Sequence, residues 1–106
     1  MNIGIIISQA EPETVWNAFR FANHAMEKRH TVTVFLLGKG VECEDITDKH
    51  FNVREQINGF LDAGGAILAC GTCLKSRNKE GSAVCPISTM DELLRIVEES
   101  DKVVSF

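Results

Sequence analysis

The sequence predicts an α/β protein with a mostly parallel sheet of four or five strands between two layers of helices. Short apolar runs alternate with amphipathic segments, which is typical of strands joined by crossover helices. The first apolar run, residues 3–7, has no polar side chain, as expected for a central parallel strand covered on both faces. With 106 residues the chain can build one hydrophobic core and not two, so we expect a single domain over residues 1–106.

The first half of the chain predicts two helices and a second strand. Pro12 suits the first turn of a helix, and residues 31–37 are rich in β-branched side chains, which favour a strand. Asn52 can cap a second helix, with Glu55 reaching back to it. Apolar positions three or four residues apart define the buried stripes of the two helices: Val15, Phe19, Ala22 and Met26 in the first, and Val53, Ile57, Phe60 and Leu61 in the second.

A third strand and a short fourth strand are predicted further along. Residues 66–69 form a short apolar run that follows two glycines, which is typical of a buried strand. We expect a helix to begin near Leu74. Residues 83–87 form at best a short strand, because Pro86 limits its pairing.

The last helix and strand complete the alternation. Thr89 and Glu92 form a capping box, and residues 102–106 predict a final strand. The helix between them has an apolar stripe: Met90, Leu93, Leu94 and Val97. Assuming right-handed crossovers, we expect the flavodoxin-like strand order 2-1-3-4-5. The carboxyl edge of this sheet would gather the loops 8–13 and 38–45 and the turn 70–73, and this edge is the candidate site.

Composition excludes several classes of function. The net charge is −4, so there is no basic field to hold nucleic acid over a wide surface. The apolar runs are far shorter than a membrane span, and no secretion signal precedes the first strand. We therefore expect a cytoplasmic protein without a membrane partner. In that compartment four cysteines are reactive, metal-binding or buried rather than a disulfide framework.

Cys70 and Cys73 are the candidate catalytic residues. They form a CxxC directly after the third strand, at the sheet edge where open α/β folds place ligands. The amides of a following helix would favour the thiolate, which is the reactive form of cysteine. The alternative is that both are small buried hydrophobic residues. The cations Lys75, Arg77 and Lys79 follow closely, either as a solvated helix face or as groups that stabilise a thiolate or guide an anionic sulfur donor.

Phosphate-binding and metal chemistry are disfavoured. The loop 8–13 contains two carboxylates and no glycine, so it is unsuited to the phosphate of a nucleotide or flavin, and no cofactor is expected. Cys70, Cys73 and Cys85 offer three thiols, but the second half of a zinc pattern is missing and no metal is expected. Two groups are interpreted as surface residues: the histidines His24, His30 and His50, and the acids Glu42, Glu44, Asp45 and Asp48. Cys43 lies among these acids, which disfavours its thiolate.

Several segments, taken in order, resemble the DsrE/DsrF-like family, which includes TusD-like sulfur relay proteins. They are the strand 3–7, the helix end Met26-Glu27-Lys28-Arg29-His30, residues 33–37 with Gly40-Val41, residues 66–70 with Leu74 and Arg77, and the closing Asp101-Lys102-Val103-Val104-Ser105-Phe106. The CxxC is similar to that of small uncharacterised DsrE-like proteins, whereas TusD-like members generally lack Cys73.

The resemblance implies a function for Cys70. In sulfur-relay members the cysteine at this position carries a persulfide received from a donor protein. The resemblance also implies an oligomer with this cysteine near subunit interfaces, and we expect a homo-oligomer, either a trimer or a hexamer. A sulfur donor or acceptor protein is the implied partner.

Three functions remain open at this point. In the first, Cys70 carries sulfane sulfur and Cys73 resolves the persulfide by forming a disulfide. In the second, the protein is a non-catalytic assembly or regulatory subunit with a redox-sensitive CxxC. In the third, the CxxC performs thioredoxin-like exchange, a function that usually requires a cis-proline opposite the motif.

Overall fold

The computed structural model describes residues 1–106 as an alternation of strands and helices. The elements in order are β1 (Asn2–Ile7), α1 (Pro12–Glu27), β2 (Thr31–Leu36), a 3-10 helix (Gly38–Asp45), α2 (Val53–Asp62), β3 (Ala66–Cys70), α3 (Gly71–Lys75), β4 (Ile87–Ser88), α4 (Met90–Glu99) and β5 (Lys102–Ser105). The predicted fold class is confirmed, and the fourth strand has only two residues. None of the helices is long and apolar enough to cross a membrane.

The five strands are all parallel and lie in the order β4-β3-β2-β1-β5. The expected order 2-1-3-4-5 is therefore wrong: β2 is central and β1 lies between β2 and β5. Ile5 pairs with Val34 on one side and with Val104 on the other. Both β1 and β2 are apolar enough for an interior position, so apolar content alone does not distinguish the two orders.

The strand order determines how the helices cover the sheet. From β1 to β4 the chain steps in one direction, so right-handed crossovers place α1 and α2 on the same face, where Asn23 of α1 donates to the carbonyl of Gln56 at 3.0 Å. The last crossover returns from β4 to the far side of β1, so α4 lies on the opposite face. The face under α1 and α2 holds the largest buried side chains, with Phe19 packed edge-on against Phe60 at 5.9 Å.

Gly4 sets the close packing of α4 on the sheet. A Cβ atom at Gly4 would lie 2.9 Å from both Ile96 Cγ2 and Ser100 Oγ, which is closer than van der Waals contact allows. Glycine in the middle of a strand is entropically unfavourable, but here it lets the helix approach the backbone of β1.

The predicted helix caps are confirmed, with one addition. The Asn52 side chain accepts from the amide of Glu55 at 3.1 Å, and the Thr89 hydroxyl accepts from the amide of Glu92 at 3.3 Å. Pro12 occupies the first turn of α1, as expected. The sequence did not indicate that Glu11 caps this helix. Hydrogen bonds from Thr14 and from the amide of Glu13 hold the pKa of the Glu11 carboxyl below its usual value.

The predicted buried stripe of α4 is wrong in most of its members. Ile96 is the buried residue of this helix, and Leu93 packs partly against the core. Met90, Leu94 and Val97 are exposed on one side of the helix, and we call these three residues the α4 apolar surface. Only a narrow line of α4 touches the sheet at Gly4, so the rest of its apolar side has no partner within the chain.

Two glycines near the end of α2 provide a test of the backbone geometry. Gly64 has φ +92°, and no atom lies within 4 Å of the position that a Cβ would occupy, so alanine there would meet backbone strain and no clash. Gly59 lies inside the helix, where an added Cβ makes an ordinary contact of 3.8 Å with Asn23. We expect Gly64→Ala to lower the free energy of unfolding by about 1 kcal/mol and Gly59→Ala to raise it by roughly 0.5–1 kcal/mol. Urea titration of both variants against the wild type measures the two changes. If both substitutions shift the free energy of unfolding in the same direction, the backbone geometry described for the two glycines is contradicted.

Candidate functional site

Cys70 lies where β3 ends and α3 begins. It is the last residue of the strand and the N-cap of the helix, and its side chain forms no capping hydrogen bond. Its residue surface is only 2% exposed. The β4 backbone runs alongside, with Ser88 paired to Cys70, and a Cβ at Gly71 would lie 3.1 Å from the Ser88 carbonyl oxygen. Glycine at this position lets β4 approach the start of α3.

Cys73 is the third residue of α3, and its thiol contacts the thiol of Cys70. The N-cap and third positions of a helix bring their side chains together, as in a capping box. The predicted helix after the CxxC therefore begins at Gly71 rather than near Leu74, and this earlier start is what juxtaposes the two sulfurs. Cys73 is half-buried, whereas Cys70 is buried.

The loop after β2 contributes a backbone donor to this pair. The amide of Gly38 donates to Cys73 Sγ at 3.2 Å. Gly38 has φ +55°, a left-handed conformation that glycine adopts without a steric penalty. This contact confirms the expectation that the 38–45 loop and the 70–73 turn meet at the carboxyl edge of the sheet.

The environment of Cys73 favours its thiol form. Burial raises the pKa of the Cys73 thiol above its ordinary value, and contact with the Cys70 thiol raises it further. The Gly38 amide and the Arg77 guanidinium lower this pKa, but their combined influence is smaller. Cys73 is therefore a thiol at neutral pH and becomes a nucleophile only as the pH rises.

Two of the three cations that follow the CxxC are held by acids of the 3-10 helix. Arg77 Nε lies 3.0 Å from a carboxylate oxygen of Glu42, and Lys79 pairs with Asp45. These acids are thus ion-pair partners of the two cations, and both remain solvated at the surface, as expected from the sequence. Lys75 has no acidic partner and remains directed to the site.

Cys70 and Lys75 line a cleft of about 580 Å³ between the beginnings of α3 and α4. Ile87 and Met90 form its apolar wall, and Asp91 contributes a carboxylate at the α4 end. No histidine lines the cleft, and Cys73 is not among its lining residues. Cys70 thus borders the cleft although only a small part of its surface is exposed, whereas Cys73, the more exposed of the two cysteines, does not line it.

The third predicted loop lies elsewhere. Residues Gln9 and Glu11 of the 8–13 loop line a separate surface pocket with Lys39 and Glu42 of the 3-10 helix. Because β2 separates β1 from β3, this loop is one strand further from Cys70 than the order 2-1-3-4-5 would have placed it.

A second pair of cysteines was missed by the sequence analysis. Cys43 in the 3-10 helix and Cys85 before β4 are both buried, and their thiols contact each other. This contact and burial raise the pKa of Cys43, with smaller contributions from the neighbouring acids Glu44 and Asp45. Cys43 and Cys85 form no short motif comparable to the CxxC, so their spacing in the sequence did not indicate this pairing.

The molecule is thus a small, all-parallel α/β protein with a thiol pair at the carboxyl edge of its sheet. The chain belongs to the DsrE/DsrF-like family, which it matches over residues 1–106. The family resemblance found in the sequence is therefore confirmed.

Two archaeal proteins are similar in sequence. An uncharacterized protein of Methanocaldococcus jannaschii, MJ0989, is 32% identical over 114 residues, covering 100% of both chains. An uncharacterized protein of Methanopyrus kandleri, MK0008, is 30% identical over 112 residues, covering 98% of this chain and 93% of the relative.

Two solved structures share the fold. The ychN protein from E. coli superposes with a TM-score of 0.85 at 20% identity over 100% of both chains. The protein BT1422 from Bacteroides thetaiotaomicron gives a TM-score of 0.78 at 18% identity, covering 99% of this chain and 94% of that one. At these identities the likeness concerns the fold alone.

The raised pKa of Cys73 predicts its reactivity. Alkylation of Cys73 by iodoacetamide should be slow at neutral pH and rise with a midpoint above about 8.5, the value of a free cysteine. Arg77→Met should move the midpoint higher, because the guanidinium lowers the pKa of Cys73. Lys79→Met is the matched control, since Lys79 pairs with Asp45 and does not act on Cys73. Because Cys70 and Cys73 share the tryptic peptide 55–75, fragment ions of this peptide are needed to assign alkylation to Cys73, and their intensities against pH give the midpoints. A wild-type midpoint at or below about 8.5 would contradict this account.

Proposed function

We propose that the protein is a cysteine-based sulfur carrier in which Cys70 accepts a persulfide and Cys73 resolves it. The observation that carries the proposal is the closeness of the two thiols, of which only Cys70 belongs to a residue that lines the cleft. The DsrE-like family is generally associated with sulfur relay, which supports the same chemistry. The proposed donor and acceptor are proteins or small molecules that present sulfur at the cleft, and the proposed location is the cytoplasm, where thiols stay reduced.

Loading is a transfer of sulfane sulfur to Cys70. The Cys70 thiolate attacks the terminal sulfur of a donor persulfide, the donor sulfur–sulfur bond breaks, and the donor leaves as a thiolate. Cys70 then holds one additional sulfur as a persulfide. Lys75 is the cation at the cleft without an acidic partner, so it is suited to attract an anionic donor persulfide.

The stored sulfur can then leave Cys70 by two reactions. An acceptor thiolate can attack the terminal sulfur and carry it away, which regenerates the Cys70 thiolate. Alternatively, the Cys73 thiolate attacks the sulfur of Cys70. The persulfide bond breaks, a Cys70–Cys73 disulfide forms, and hydrosulfide is released. A dithiol reductant must reduce this disulfide before the next cycle.

The thiol form of Cys73 favours delivery of the stored sulfur to an acceptor over its premature release as hydrosulfide. Because burial and the Cys70 contact keep Cys73 protonated at neutral pH, the resolving attack is slow there. A persulfide on Cys70 would therefore persist long enough to meet an acceptor. Rising pH would shorten its lifetime by increasing the Cys73 thiolate.

We also propose that the protein forms a homo-oligomer, a trimer or a hexamer, through the α4 apolar surface. Met90, Leu94 and Val97 are 57%, 57% and 44% exposed, and Met90 also lines the cleft of Cys70. An adjoining copy on this surface would border the cleft. Trp16 and most of the phenylalanines are less suited to such a contact, because Trp16 is covered by Phe51 and Arg20 and three of the phenylalanines are fully buried in the core.

The same apolar surface favours the second candidate, an assembly or regulatory subunit that does not carry sulfur. In this case the exposed side of α4 is the functional feature and the CxxC is only redox-sensitive. The two candidates differ in whether Cys70 takes up sulfur.

Sulfur loading tests the carrier proposal. After incubation with a cysteine desulfurase and cysteine, we expect wild type to gain the mass of one sulfur and Cys70→Ser to gain none. Cys73→Ser should load and retain the persulfide at least about tenfold longer, because its resolving thiol is gone. Intact mass spectrometry gives the loading, and sulfide release gives the lifetime.

Trypsin leaves Cys70 and Cys73 on one peptide, residues 55–75, so the variants rather than the digest must assign the sulfur. Cys85→Ala removes a thiol from another peptide and should behave as wild type. Normal loading of Cys70→Ser would exclude Cys70 as carrier. Failure of every form to load would favour the assembly subunit.

Light scattering tests the oligomer. Leu94→Asp places a carboxylate in the α4 apolar surface and should reduce the assembly to monomers at micromolar concentration, because an unpaired charge would be buried in the contact. Phe21→Asp is the matched control: Phe21 is an exposed apolar residue of α1, on the other face of the sheet, and its substitution should leave the mass unchanged. A monomeric wild type would overturn the assembly proposal.

A further inference from the structure

The second cysteine pair lies outside the proposed sulfur-carrying site and is unused by it. Cys43 is 0% exposed and Cys85 is 3% exposed, and their thiols lie close together although they belong to two separate segments of the chain. Cys43 belongs to the 3-10 helix, whereas Cys85 lies near the end of the segment 76–86, which joins α3 to β4 and contains neither helix nor strand.

Side-chain hydrogen bonds hold the two segments in register at this point. The Ser82 hydroxyl donates to Glu44 at 2.9 Å and accepts from the amide of Cys85 at 3.0 Å. Ser82 thereby connects Glu44, the residue after Cys43, to the backbone of Cys85. This arrangement holds the two buried cysteines near each other.

We propose that Cys43 and Cys85 form a second, reversible disulfide that ties the segment 76–86 to the 3-10 helix under oxidising conditions. The oxidant is a hydroperoxide, which is small enough to reach a nearly covered thiol. The Cys85 thiol displaces water from the peroxide and becomes a sulfenic acid; Cys43 then attacks its sulfur and releases a second water. Two thiols and one hydrogen peroxide thus give one disulfide and two waters, and a dithiol restores the reduced state.

This disulfide would add a covalent restraint to a segment that polar contacts hold to the 3-10 helix. Arg77, Lys79 and Ser82 make these contacts through exposed or partly buried groups, which cost little to open. Backbone hydrogen bonds, such as that from Ser82 to Cys85, hold the segment as well. A covalent link between Cys43 and Cys85 would keep the segment against the 3-10 helix when the polar contacts open.

The order of reaction follows from the exposure of the pair. Cys85 is slightly exposed and Cys43 is fully covered, so a hydroperoxide reaches Cys85 first. We therefore assign the first oxidation to Cys85 and the resolving step to Cys43. The inference does not depend on whether Cys70 carries sulfur.

The test uses Cys70→Ser/Cys73→Ser, in which Cys43 and Cys85 are the remaining thiols. Treatment with hydrogen peroxide should reduce the titratable thiols from two to none and link the tryptic peptides 40–49 and 80–95. The apparent melting temperature should rise by roughly 10 °C, since the bond closes a long loop of the unfolded chain. Dithiothreitol should reverse both changes, and amide exchange in residues 78–86 should slow severalfold in the oxidised form.

Addition of Cys85→Ala gives the matched control, in which peroxide should neither link peptides nor raise the melting temperature. If the multiple variants do not fold, the same peptide map on oxidised wild type decides the question. Two thiols that survive peroxide, stepwise oxidation to sulfinic acids, or links from Cys43 or Cys85 to the peptide 55–75 would each overturn the proposal.

Discussion

The polar contacts between the 3-10 helix and the segment 77–82 are the constraint on which the surroundings of both thiol pairs depend. Arg77 binds Glu42, Lys79 binds Asp45, and Ser82 binds Glu44, so three successive connections join the loop after β2 to the loop after α3. Each is weak by itself because it is at least partly solvated. Together they fix the position of Gly38 above Cys73 and of Cys43 beside Cys85.

The two cysteine pairs use one edge of the sheet for different chemistry. Cys70 is the N-cap and Cys73 the third residue of α3, so their proximity depends on where this helix begins. Cys43 and Cys85 come from distant parts of the chain, so their contact depends on the tertiary fold. Only the first pair includes a residue that lines a cleft, and this difference is why we assign sulfur transfer to one pair and a covalent tie to the other.

The sequence was sufficient for the fold class, the helix caps and the location of the CxxC, because each depends on residues close together in the chain. Asn52 and Thr89 cap their helices as local chemistry requires. The strand order was not predictable in this way, since β1 and β2 are equally suited to the centre of a sheet. The exposed side of α4 was missed because periodicity shows that a helix has an apolar side but does not show what covers it. The proximity of Cys43 and Cys85 was missed because these residues are far apart in the chain and meet only in the tertiary fold.

The return of the last crossover over the whole sheet has a consequence for the order of folding. β5 pairs with β1, and the amide of Asn2 donates to Asp101, a residue 99 positions away. The ribosome must therefore synthesise nearly all 106 residues before β1 gains its second neighbour. Until then one edge of β1 presents unpaired backbone groups, which are a template for pairing with another chain. High contact order slows this final closure, so the nascent protein passes through a stage in which it is most vulnerable to aggregation.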